Sequence, residues 1–142
     1  MKIFKEDIDG LEHFCSPKVA ELLKKNGFNS NVRSFYYFDE MNNLRTYNTD
    51  LGAHADSNEL PRPTHSEAIE WLRRYKKIFI GLDIQTWVNG VPFYRANIEY
   101  FKDGRDTIRI TRHYNDYTMG YTTPYEAIDV ALKYVLRNLL KN

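Results

Sequence analysis

Residues Thr123 to Leu140, TPYEAIDVALKYVLRNLL, constrain the fold more than any other stretch. Ile128, Ala131, Leu132, Val135, Leu136 and Leu139 recur at i, i+3/i+4 and i+7, which gathers them into one stripe of a helix. Glu126, Asp129, Lys133 and Arg137 fall on the opposite side. Thr123 is placed to cap the first turn, Pro124 suits the first helical position, and Glu126 stands at the capping-box site. A helix with a single apolar side needs a flat apolar surface to lie on.

Three predicted strands supply that surface. From Ile78 to Trp87 the even positions Ile78, Ile80, Leu82 and Ile84 are apolar. From Phe93 to Phe101 the even positions Tyr94, Ala96, Ile98 and Tyr100 form the inward set, while Arg95, Asn97 and Glu99 point away. A two-residue Asn89-Gly90 turn would set Ile84 opposite Arg95 and exchange the faces. A three-residue loop, Val88-Asn89-Gly90, is therefore expected, pairing Ile84 with Tyr94, Leu82 with Ala96 and Ile80 with Ile98. By the same reasoning a loop Lys102-Asp103-Gly104 sets Ile98 opposite Ile108 and Ala96 opposite Ile110. The opposite face then carries Asp83 beside Arg95, Asn97 beside Arg109 and Phe93 beside His113.

Upstream, Ser16 and Pro17 open a short helix whose apolar side is Val19, Ala20, Leu22 and Leu23. Gly27 and Phe28 close it in a Schellman-like turn. Arg33–Phe38 and Leu44–Tyr47 read as two strands around the turn-forming DEMNN. The stretch from Asn48 to Pro63 shows no period and reads as a long loop. Thr64 and Glu67 then form a second capping box on a helix carrying Ala68, Ile69, Leu72 and Tyr75 inward. Arg73, Arg74, Lys76 and Lys77 complement the dipole at its end. The expectation is one α+β domain over residues 1–142, in the order α-ββ-α-βββ-α, with helices packed on one face of an antiparallel sheet.

Composition removes several functions. Lys and Arg total 20 against 19 for Asp and Glu, so no global field steers the chain toward nucleic acid or an anionic membrane. Cys15 is the single cysteine, which excludes an intramolecular disulfide and any cysteine-rich metal centre, and fits a reducing compartment. The opening MKIFKEDIDG has acids where a signal peptide needs apolar residues, and no segment approaches ~20 apolar residues. A cytoplasmic protein without a membrane span is expected. Aromatic residues make up 15% of the chain, including 11 tyrosines, a content that suits both strands and binding surfaces.

Three stretches taken in order carry a resemblance: AELLKKNGF at residues 20–28, PTHSEAIEWLRRYKKIFI at 63–80 and YTTPYEAIDVALKYVLRNLL at 121–140. They resemble a set of small uncharacterised proteins of bacterial genomes, often found in phage or prophage regions. The resemblance implies a mobile-element accessory protein. It brings no assigned reaction and no functional residues, and it does not extend to residues 33–63 or to the three-stranded meander.

No motif assigns chemistry. His54, Asp56, Glu59 and His65 are the nearest approach to a ligand cluster for zinc or manganese, and a metal-dependent enzyme at residues 48–65 is the least favoured function. Cys15 and His13 lie two residues apart in an arm and make no dyad. With no Gly-rich run before a helix, no cofactor is expected. The favoured function is a non-enzymatic interaction surface on the outer face of the meander. Its residues are Gln85, Trp87, Phe93, Arg95, Arg109, Thr111 and His113, with Tyr117 and Tyr121 at the edge, and the 48–63 loop is expected to take part as well. A protein partner or self-association fits such a face. The alternative is single-stranded nucleic acid held by Trp87, Phe93, Arg95, Arg109 and Arg112. Against it, Val91–Tyr114 carries only five basic residues to three acidic ones.

Overall fold

The computed structural model describes residues 13–102, 106–110 and 120–140. Among them are three α-helices and two three-stranded antiparallel sheets, an α+β fold in the expected order with one strand added. The chain divides between Ala68 and Ile69 into two compact units.

In the first unit, helix α1 (Pro17–Lys25) starts where Ser16 Oγ accepts a hydrogen bond from the Val19 amide at 3.3 Å. It stops at Gly27, whose φ of 94° is left-handed backbone that glycine adopts without a Cβ penalty. The Phe28 amide donates to the Leu23 carbonyl at 2.9 Å and the Gly27 amide to the Lys24 carbonyl at 3.1 Å, which are the two bonds of the expected Schellman close. Strand β1 (Val32–Phe38) pairs with β2 (Leu44–Ala53) on one side and β3 (Leu60–Pro61) on the other, giving the order β2-β1-β3. The β1–β2 turn is held by Asp39, whose Oδ1 accepts from the amides of Met41 and Asn43 at 2.9 and 2.8 Å. Val19, Leu23, Val32 and Phe35 are fully or almost fully buried and form the core of this unit.

Much of the expected long loop is ordered. Strand β2 runs to Ala53 rather than ending at Tyr47, and a register shift between Val32 and Ser34 brings Ala53 opposite Val32. Leu60 and Pro61 then return along the other edge of β1, opposite Tyr36 and Phe35. Nearly every residue of β2 is exposed, so the strand has backbone partners but no alternating burial to announce it.

Helix α2 (His65–Trp71) opens on both halves of the capping box. The Glu67 amide donates to Thr64 Oγ1 at 3.1 Å, and the Thr64 amide donates to Glu67 Oε1 at 2.9 Å. After Trp71 the helix widens into one π turn, Leu72–Lys76, closed by Lys77 at φ 59°. The wider turn shifts the helical phase. Trp71 and Leu72 are buried, whereas Tyr75, expected inward, is 61% exposed.

The second sheet follows as β4 (Ile78–Val88), β5 (Val91–Lys102) and β6 (Asp106–Ile110), in the order β4-β5-β6. Ile84 faces Tyr94, Leu82 faces Ala96 and Ile80 faces Ile98, as the hydrophobic pattern requires. The turn is nonetheless the two-residue one. Val88 faces Val91, and Asn89 and Gly90 both have positive φ, 50° and 80°, as a type I′ turn demands. A bulge between Ile84 and Thr86 leaves Gln85 without a facing residue and absorbs the one-residue difference. In the second hairpin the partners slide by two residues from expectation. Ile98 faces Ile110, Tyr100 faces Ile108, and Arg109 lies opposite Glu99 rather than Asn97. A slip of two preserves the faces.

Helix α3 (Pro124–Asn138), capped where Thr123 Oγ1 accepts from the Glu126 amide at 3.2 Å, lies on β5 and β4. It buries Ala127, Ala131, Leu132, Val135 and Leu136, while Ile78, Ile80, Ala96 and Ile98 are buried on the sheet side. Leu82 and Ile84 belong to the same face but are 41% and 44% exposed. In urea denaturation followed by circular dichroism, Ile98→Ala is expected to cost ~2–5 kcal/mol and Leu82→Ala under about 1 kcal/mol, because only the first leaves a cavity. Equal losses would contradict this packing.

Candidate functional site

The bulge at Gln85 decides what the β4–β5 hairpin presents. Residues facing each other across an antiparallel pair point to the same side. Thr86 therefore shares the outer face with Phe93, and Trp87, opposite Pro92, moves to the face of Ile84, Tyr94 and Ala96. Trp87 and Phe93, expected together, are on opposite sides of the sheet. Phe93 is half-buried, and Trp87 is 61% exposed.

On the outer face Arg95 is opposite Asp83, as expected, with Nε 3.7 Å from Asp83 Oδ1. Asp83 Oδ2 also accepts from Asn97 Nδ2 at 2.8 Å. The one described outer-face arginine side chain thus has an anion beside it already. Tyr121 joins the edge of β5, exchanging backbone hydrogen bonds of 2.6 and 2.8 Å with Tyr94. Arg109 is located by its backbone alone, and Thr111, Arg112, His113 and Tyr117 lie outside the described residues.

What emerges instead lies on the edge strand itself, with three exposed apolar side chains on one face and Phe79 on the other. Phe79, Leu82, Ile84 and Trp87 are 48%, 41%, 44% and 61% exposed, and all belong to β4. Among the described residues β4 pairs only with β5, so no described strand occupies its other edge. Asp83 is the only charge from Ile78 to Val88, and no proline or lysine blunts the strand. The exposure of Leu82 and Ile84 has no sequence signal, because their spacing is that of core residues.

The loop between β2 and β3 is fastened from α1. Lys24 Nζ donates to the carbonyls of Asp56, Ser57 and Glu59 at 3.0, 2.8 and 2.5 Å. Glu59 Oε1 accepts from the Asp56 amide at 3.0 Å, and Glu59 Oε2 accepts from the Tyr47 hydroxyl at 2.7 Å. The Tyr47 ring stacks on Phe35 with centroids 5.1 Å apart. The hydrogen bond to Glu59 pushes the Tyr47 hydroxyl up to about 12. A groove of about 410 Å³ runs beside this loop, lined by Lys18, Glu21 and Lys24 of α1 and by Tyr36, Phe38 and Leu44.

His54 and Asp56 are exposed in this loop, and His65 is buried at the start of α2. Among the described residues no three His, Cys, Asp or Glu side chains converge on a metal position, so His54, Asp56, Glu59 and His65 are not brought together. Among the described residues, the displaced groups move away from neutrality. Arg45 lowers Asp39, Arg73 lowers Glu70, and both arginines are raised by those partners. These are the shifts of ion pairs and turns, unlike those that ready an acid or base for work near pH 7.

Among the described residues no helix is long and apolar enough to cross a membrane. Comparison with protein families, characterised proteins and solved structures finds no match for this chain.

Two measurements check the loop. Lys24→Met is expected to speed hydrogen exchange of amides 56–59 about tenfold or more while leaving α1 protected, since three carbonyls lose their donor. Unchanged exchange would show that the ammonium holds nothing. The folded-state value of Tyr47 lies above its ordinary 10.0, so its bond stabilises the fold fully below pH 10 and is lost as pH rises through about 12. Tyr47→Phe is expected to remove one tyrosine ionising near pH 12 from the ultraviolet titration; an unchanged titration would contradict the bond.

Proposed function

We propose that this chain is a non-enzymatic interaction protein, an accessory factor in a bacterial or phage setting, that offers the open edge of β4 to a protein partner. The supporting observation is the coincidence on one strand of an edge unpaired among the described residues, four large exposed apolar side chains and a single charge. Strand addition of this kind draws affinity from main-chain hydrogen bonds and specificity from alternate side chains. The resemblance of three stretches to phage-associated proteins supports the accessory role, and the single cysteine supports a cytoplasmic setting.

Single-stranded nucleic acid is the competing reading, and the geometry favours it less. Stacking binders need aromatics and cations on one surface. Here Trp87 and Phe93 face opposite sides, and Arg95 lies beside Asp83. Immobilised wild-type protein is expected to retain at least one species from a bacterial lysate that an Ile84→Lys variant of unchanged circular dichroism does not. Identical retention by the two would overturn the protein-partner reading. A salt series with a fluorescent oligothymidylate is expected to show no binding even at low salt, and salt-sensitive binding would transfer the proposal to nucleic acid.

A further inference from the structure

We propose that the partner at the β4 edge is a second copy of this chain, joined antiparallel about a two-fold axis so that two three-stranded sheets become one of six. This rests on reading β4 as the interaction edge and names its occupant.

The argument is one of parity. A two-fold axis perpendicular to the sheet carries one edge strand onto the other, reversed in direction but with its faces preserved. Residues that meet across an antiparallel pair share a face. Within Ile78–Ile84, upstream of the bulge, an even-numbered residue can therefore meet only an even-numbered one. The even set is Ile78, Ile80, Leu82 and Ile84, so every symmetric register sets this apolar row against itself. An unrelated partner would need a matching row of its own; a second copy has one by construction.

Charge excludes one register, and the exposed residues favour the nearest centre that remains upstream of the bulge. Centring on Asp83 would oppose two carboxylates and is disfavoured. Centring on Leu82 sets Leu82 against Leu82 of the second copy, Ile80 against its Ile84, and Asp83 against its Gly81, with no like charges facing. It also covers Leu82 and Ile84, the two even residues that α3 leaves 41% and 44% exposed. Strand β2, an edge of the first sheet, carries no such row: upstream of its register shift Leu44 and Tyr47, opposite Phe38 and Phe35, fall on opposite faces.

The test uses the purified full chain. Light scattering over a concentration series is expected to move from the 16.9 kDa of one chain toward double that value, and Leu82→Lys is expected to weaken the association about tenfold or more. Leu82→Cys, gentler to the fold, reads the register. Facing Cα atoms about 4.5–5.5 Å apart are within disulfide reach, so mild oxidation is expected to cross-link it, whereas Ile84→Cys, two pairs off the axis, stays uncross-linked. The wild-type chain, whose Cys15 is buried, is the control. A chain monomeric at every concentration, or one whose dimer survives Leu82→Lys and does not cross-link through Leu82→Cys, overturns the second copy. Monomeric protein that still loses a lysate species on Ile84→Lys assigns the edge to a different protein and leaves the reading of β4 standing; failure of both removes that reading too.

Discussion

A helix is short for its residue count and a strand is long. The 15 residues of α3 span about 22 Å at ~1.5 Å each, whereas the 11 residues of β4 span about 36 Å at ~3.3 Å each. The closing helix cannot cover the full length of the hairpin it packs on. It seals Ile78, Ile80, Ala96 and Ile98 and leaves Leu82, Ile84 and Trp87 in water. The apolar row that makes β4 a candidate surface is thus the uncovered continuation of the row that makes it a core strand. Core packing and the candidate surface draw on one periodicity.

The second constraint is the turn. Asn89-Gly90 is strongly disposed to a two-residue type I′ turn, and the hydrophobic alternation on either side demands a register one residue away. Both are satisfied because Gln85 is pushed out as a bulge. The cost is that side chains beyond the bulge change face, and Trp87 leaves the side where Phe93 sits. Adjusting loop length alone gives the observed pairs for Ile80, Leu82 and Ile84 but the wrong side for Trp87. In the second hairpin the error was a slip of two, invisible to alternation because alternation has a period of two.

Legibility followed the presence of a local signal. Caps at Ser16, Thr64 and Thr123 and the close at Gly27 were readable because each is complete within a few residues. Strand β2 beyond Tyr47 was not, because its residues are exposed on both sides and its only order is backbone pairing with distant Val32 and Ser34. The loop lock was equally hidden: Lys24 reads as a solvated helix cation until the carbonyls of Asp56, Ser57 and Glu59, over thirty residues on, are brought to it. His54, Asp56, Glu59 and His65 show the converse, since closeness in sequence did not make them converge.

By itself the sequence determined the identity and order of the helices, the alternation of β4 and β5, and which side chains on those strands are apolar. These follow from periodicities of 3.6 and 2 residues and from capping chemistry, all of them local. Tertiary structure alone decided where α3 ends its cover, where the bulge falls, and that β1 takes a third strand on its far side. Those outcomes depend on lengths and pairings between segments far apart in the chain, and no short window of sequence contains them.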